Sequence, residues 1–169
     1  MIRSMPPHPT LTVLAPAFPA LSEAAQQVTR GVRRMLAGQG YQSLVEFSLA
    51  NGRRADVLAF NEAGEVLIVE VKSCVADFRA DRKWGDYADF CDRFFFAVNA
   101  EFPQELIPAE TGLMIADGFG AEILRDGPVG DLTTVRRKAV ILRAALAAAQ
   151  RLHRAEDPMA RLEDNLSGL

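Results

Sequence analysis

The sequence predicts an α/β fold, a mixed β-sheet flanked by helices, on three observations. Helical and strand-like periodicities succeed one another in the order helix, three strands, helix, strand, two short strands, helix. Two turn signals, Asn51-Gly52 and the NEAG of 61–64, join the first three strands as an antiparallel meander. The uninterrupted apolar run FFFAVN follows a helical segment, as expected of a strand covered on both faces and connected in parallel to an earlier one.

The first helix is expected over Leu21 to Gly40. Ser22 can cap it, Val28, Val32, Met35 and Leu36 recur at helical spacing, and Gly38 and Gly40 end it. Glu23 stands in the opening turn, where a carboxylate suits the helix dipole, and Arg30, Arg33 and Arg34 occupy another side. Strands are expected at Ser43 to Ala50, Arg53 to Phe60 and Glu65 to Lys72. Asn51-Gly52 predicts a two-residue type I′ turn between the first two.

A second helix is expected from Asp77, as cap, to Cys91, with Ala80, Trp84, Tyr87 and Cys91 on one core-facing side. Short strands follow at Thr111 to Ala116 and Ala121 to Leu124, turning at Asp117-Gly118. The last helix spans about Leu132 to His153. At about 100° per residue, Arg136, Arg143, Gln150 and Arg154 share one side of it, while Val135, Leu142, Leu146 and Ala149 share an apolar one.

With 169 residues, 49% apolar and 24% charged, the chain suits one folded domain, here residues 19–154 between a flexible arm (1–18) and a flexible tail (155–169). No apolar run reaches the roughly 20 residues of a membrane-spanning helix, and prolines at 16 and 19 break a secretory signal. Cys74 and Cys91 lack the pairing of a disulfide framework or zinc site, so a reducing, cytoplasmic compartment is expected. A net charge of −3 gives no global attraction to nucleic acid, so a DNA partner requires a local basic patch.

Three charges interrupt the apolar hairpin ADVLAFNEAGEVLIVEVKS: Asp56, Glu70 and Lys72. Strand alternation sends Val66, Ile68, Glu70 and Lys72 to one face. If Phe60 pairs with Glu65, Asp56 lies opposite Val69; a one-residue shift, or a bulge near Gly64, puts it opposite Glu70. Two carboxylates that close repel and resist burial unless a cation joins them. Mg²⁺ prefers carboxylate oxygen and takes one or two such ligands, and a lysine aimed at the same space suits phosphodiester hydrolysis. The bland alternative is an exposed Glu-x-Lys ion pair of small worth.

The Asp56 of ADV, thirteen positions (57 to 69), then EVK resembles the PD-(D/E)xK nuclease superfamily, with Ala55 where proline usually precedes the Asp. GRRADVLAF, VEVKS, ADRKWGDYADFCDRFFFAVN and ETGLMIADGFGAEILR together resemble the bacterial MmcB DNA-repair family within it, over roughly Thr29 to His153. The resemblance implies a restriction-endonuclease-like core and a metal-dependent DNA nuclease acting in repair. It implies Asp56 and Glu70 as ligands of Mg²⁺, with Mn²⁺ as substitute, Lys72 as catalytic lysine and the Val71 carbonyl as a further ligand.

Glu23 and Glu46 are candidates for an added acid, although an ideal Asn-Gly turn pairs Phe47 with Asp56 and sends Glu46 to the other face unless a bulge intervenes. Arg53, Arg54 and Lys83 are candidate phosphate contacts, and Arg30, Arg33 and Arg34 could join the last helix's basic stripe in one patch. Each has a plain reading as a solvated side chain. DNA is the expected partner, no membrane is, and homodimerisation or association with other repair proteins is open. The rival function is a catalytically silent DNA-binding protein on the same fold.

Overall fold

The computed structural model describes residues 22–80 and 84–157, so the arm at 1–18, Asp81, Lys83 and the tail beyond 157 lie outside it. The chain forms α1 (Glu23–Gly38), β1 (Gln42–Ser48), β2 (Arg54–Phe60), β3 (Val66–Lys72), α2 (Val75–Ala80), a 3₁₀ segment (Trp84–Phe90), β4 (Arg93–Val98), β5 (Gly112–Ala116), β6 (Ala121–Arg125) and α3 (Thr134–Glu156). The sheet runs β1 to β6 in sequence order. β1, β2 and β3 are antiparallel neighbours, β3, β4 and β5 are parallel, and β6 returns antiparallel. It is the mixed, helix-flanked α/β sheet that the periodicities predict.

Burial explains the order of the strands. All seven residues of β3 are buried, as a central strand covered on both faces requires. On one face Val28, Val32 and Leu36 of α1 pack over Val57, Val69, Phe95 and Met114. On the other, Ile68, Phe94 and Phe96 meet Tyr87, Val140 and Ala144. A Cβ on Gly31 would stand 2.1 Å from the Asp117 carbonyl oxygen and 2.3 Å from that of Gly120, so only glycine lets α1 sit on the β5–β6 turn. No helix among the described residues is long and apolar enough to cross a membrane.

Three expectations need correction. Both hairpin turns are three-residue loops rather than the expected two- and four-residue turns. Leu49 and Arg53 close Ala50–Gly52, and Asn61 and Glu65 close Glu62–Gly64. Each loop ends on a glycine at positive φ, +80° at Gly52 and +78° at Gly64, the geometry of a glycine bulge. Asn51 uses its side-chain oxygen to accept the Arg53 N–H, which competes with the tighter type I′ turn.

The expected single helix from Asp77 to Cys91 is broken. α2 ends at Ala80, and Trp84–Phe90 winds as a 3₁₀ segment. The tighter winding lays the Trp84 and Tyr87 rings on Phe94, with centroids 5.9 and 5.6 Å away. The third correction concerns α3. Its expected apolar side, Val135, Leu142 and Leu146, is exposed, and the helix docks instead through Val140 and Ala144. Arginines decide this orientation: Arg143 donates to the Ser48 carbonyl, Arg151 to that of Glu46, and Arg137 grips Asp92 and the Gly64 carbonyl.

Candidate active site

The three-residue loop at 62–64 sets the register that the sequence left open. Phe60 pairs with Val66 and Val57 with Val69, so the one-residue shift is the real one and Asp56 faces Glu70. Parallel pairing with β4 sets Glu70 beside Phe96 and Lys72 beside Val98. The charged residues therefore rise from the centre of the sheet, on the face that α3 and the 3₁₀ segment cover.

Reciprocal bonds hold the two acids. The Asp56 carboxylate accepts the Val71 N–H at 2.8 Å, and Glu70 Oε1 accepts the Asp56 N–H at 3.3 Å. Lys72 Nζ stands 3.6 Å from Glu70 Oε2, and both side chains are about 5–6% exposed (6% and 5%). Burial, with the charge of Asp56 beside it, pushes Glu70 up to about 8. Burial likewise pushes Asp56 up to about 6, against the pull of the Val71 N–H and Lys72. Burial and mutual repulsion raise both carboxyls, which makes the cluster a candidate active site.

Glu46 joins them. The loop at 50–52 shifts the β1–β2 register so that Val45 pairs with Val57 and Phe47 with Ala55, and Glu46 faces Asp56 rather than turning away. Its backbone takes a φ of +50°, a left-handed conformation that costs about 1–3 kcal/mol in a non-glycine residue and concentrates at functional sites. Arg54 Nε approaches Glu46 Oε2 to 2.6 Å, but misaligned, so it supplies charge without a proper hydrogen bond. Both Glu46 carboxylate oxygens are buried without a hydrogen-bond partner.

Tyr87 was read from the sequence as core, and it is that and more. Its hydroxyl donates to the Arg54 carbonyl at 3.1 Å and also hydrogen-bonds Glu70. A buried tyrosine must find a partner for its hydroxyl, and that rule is the signal the sequence offered. Asp77 of α2 adds a further negative charge facing Asp56.

The remaining candidates disperse. Glu23 is exposed on α1 and takes the Gln27 amide. Arg53 is paired with Asp86 at 2.7 Å. Arg33 donates to Ser43 Oγ and Arg34 to the Gly118 carbonyl, and with exposed Arg30 they border a groove of about 590 Å³ between α1 and β1. That groove lies on the face opposite Asp56, Glu70 and Lys72. The basic side chains of α1 and α3 therefore do not form the single patch that the sequence suggested, because the sheet separates them.

A divalent cation fits these residues. The donors are hard oxygens, the Glu46 oxygens lack donors of their own, and Asp56 and Glu70 are kept from solvent. Among the described residues no three acidic, His or Cys side chains enclose a metal unaided. Two carboxylates with a main-chain carbonyl and substrate oxygens suffice for Mg²⁺.

The family described as DNA repair protein MmcB-like matches residues 16–159 of the chain. A solved protein of unknown function from Silicibacter pomeroyi is 47% identical, covers 80% of this chain with 93% of its own, and superposes with a TM-score of 0.78. No curated protein matches.

Proposed function

The chain belongs to the MmcB-like family of DNA repair proteins, and from that premise we propose that it is a metal-dependent deoxyribonuclease with a restriction-endonuclease-like core. The observation that carries this reading is the pair of buried carboxylates, Asp56 and Glu70, each accepting a backbone N–H of the neighbouring strand, with Lys72 beside them. A module that only binds DNA gains nothing from acids facing phosphate. The family's repair role makes DNA the substrate class.

Asp56 and Glu70 hold Mg²⁺, for which Mn²⁺ can substitute, with the Val71 carbonyl and Glu46 as further ligands. When bound, the metal supplies a Lewis acid for the phosphate and lowers the pKa of a water. Lys72 steadies charge growing on the phosphate oxygens or orients the attacking water. Tyr87 holds Glu70 in place, and Arg54 pairs with Glu46.

The test is incubation with single-stranded, duplex and branched DNA in Mg²⁺ or Mn²⁺, beside Asp56→Ala, Glu70→Ala and Lys72→Ala. Each substitution should lower cleavage at least about a hundredfold. Cleavage that survives all three would sink the assignment. Binding without cleavage in either metal would make the protein a silent DNA binder.

A further inference from the structure

α3 has two apolar sides, and the fold uses one. Val140 and Ala144 are buried against the sheet. Val135, Leu142 and Leu146 are 80%, 57% and 59% exposed on the opposite side. Three exposed branched side chains along one helix are more than scattered surface apolars.

Their spacing identifies the kind of partner. Val135, Ala139, Leu142, Leu146, Ala149 and His153, all exposed, are separated alternately by four and three residues. That is the seam of a heptad repeat, which another helix fills by knobs-into-holes packing. The seam is also palindromic about Ala144. Turned antiparallel against itself it sets Leu142 on the partner's Leu146 and Ala139 on the partner's Ala149, with Val135 over the partner's His153. A self-complementary strip of this kind makes an isologous two-fold interface.

Apolar cover for the flanking side chains selects the direction. In a parallel pair Lys138 would lie toward the partner's Arg143, which is held on the Ser48 carbonyl, and would find no apolar side chain to cover. In the antiparallel pair Lys138 lies along the partner's Leu152, itself 58% exposed, and its stem can cover that side chain. The other flanking arginines are drawn off the seam, Arg136 to Asp89 at 2.7 Å and Arg143 to the Ser48 carbonyl at 2.7 Å.

We propose that a second copy of this chain occupies the outer face of α3, as a two-fold antiparallel helix pair centred on Ala144. One helix pair buries about 800–1,000 Å², at the weak end of specific interfaces, so the dimer forms with rising concentration.

The test is sedimentation in reducing buffer over about 5 to 500 µM. The mass should climb from 18.5 kDa toward twice that value. Leu142→Asp and Leu146→Asp, both at exposed positions, should stay monomeric with unchanged circular dichroism and melting. In a Cys74→Ser background, Ala139→Cys mixed with Ala149→Cys should cross-link, and neither should do so alone. A monomer throughout the range, a dimer that survives the Asp variants, or cross-linking of Ala139→Cys with itself would each overturn the proposal.

Discussion

Glu70 and Asp56 carry an energetic cost that their position makes measurable. Folding raises both carboxyls, to about 8 and about 6 from ordinary values of 4.5 and 3.8. A raised acid holds its proton in the native state after the unfolded chain has released it. Its contribution is therefore present below the unfolded pKa and lost as pH rises through the folded one. Metal-free protein should lose stability between about pH 4 and 8. Glu70→Gln should flatten that slope in urea melts, and at pH 8 it should exceed the native protein by about 1–3 kcal/mol. Parallel stability curves for the two proteins would refute the assignment of the buried charge.

Asp92 behaves oppositely. Arg137 donates to it and holds its carboxyl below the ordinary value, so its contribution is present above the unfolded pKa and lost as pH falls. Asp92 also accepts the Val66 N–H at 2.7 Å, at the start of β3. Arg137→Ala leaves that carboxylate with the Val66 N–H alone and should cost about 1–2 kcal/mol in denaturant melts. The types of the three candidate site residues were legible in the sequence, because charges inside an apolar run demand a reason. Tyr87 and the orphaned Glu46 oxygens were not, since a hydroxyl's partner and a carboxylate's lack of one exist only once strands and the 3₁₀ segment meet.

At the scale of elements, two glycines set the site's register. Gly52 and Gly64 close their loops at φ +80° and +78°, conformations that strain any side chain. Gly64→Ala should cost about 1 kcal/mol and lower the proposed cleavage out of proportion, because a slip in the loop moves Asp56 off Glu70. Gly31→Ala is a different test. Its Cβ would meet the backbone of the β5–β6 turn, so it should destabilise by about 1–3 kcal/mol or more while the register of β2 and β3 persists. Alternation and helical period located nearly every element, but a glycine bulge changes a turn's length by one residue without changing which residues are apolar. The orientation of α3 was hidden for a related reason. Two apolar stripes were present, and its arginines' bonds to backbone carbonyls chose between them.

For the whole molecule, the proposed metal site predicts linkage between ligand and fold. A ligand that binds only the native state stabilises it by RT ln(1 + [L]/Kd), about 1.4 kcal/mol at ten times Kd. Mg²⁺ or Mn²⁺ should therefore raise the melting temperature of the native protein, and Glu70→Gln should abolish the rise. An equal rise in both proteins would place the metal elsewhere. The net charge of −3 is divided by the sheet, with basic side chains of α1 on one face and those of α3 on the other. DNA approaching Asp56 and Glu70 would meet the second set.

The sequence by itself determined the α/β class, the order of strands and helices, the parallel strand after the meander, and the residue types from which a site could be built. Period and composition are local properties, and they survive in one dimension. Only the tertiary structure decided that Asp56 faces Glu70, that Glu46 joins them with buried oxygens that no hydrogen bond satisfies, and that the apolar side of α3 looks outward. Each of these depends on a turn's exact length or on a hydrogen bond between distant segments, and both come into being only when the chain closes on itself.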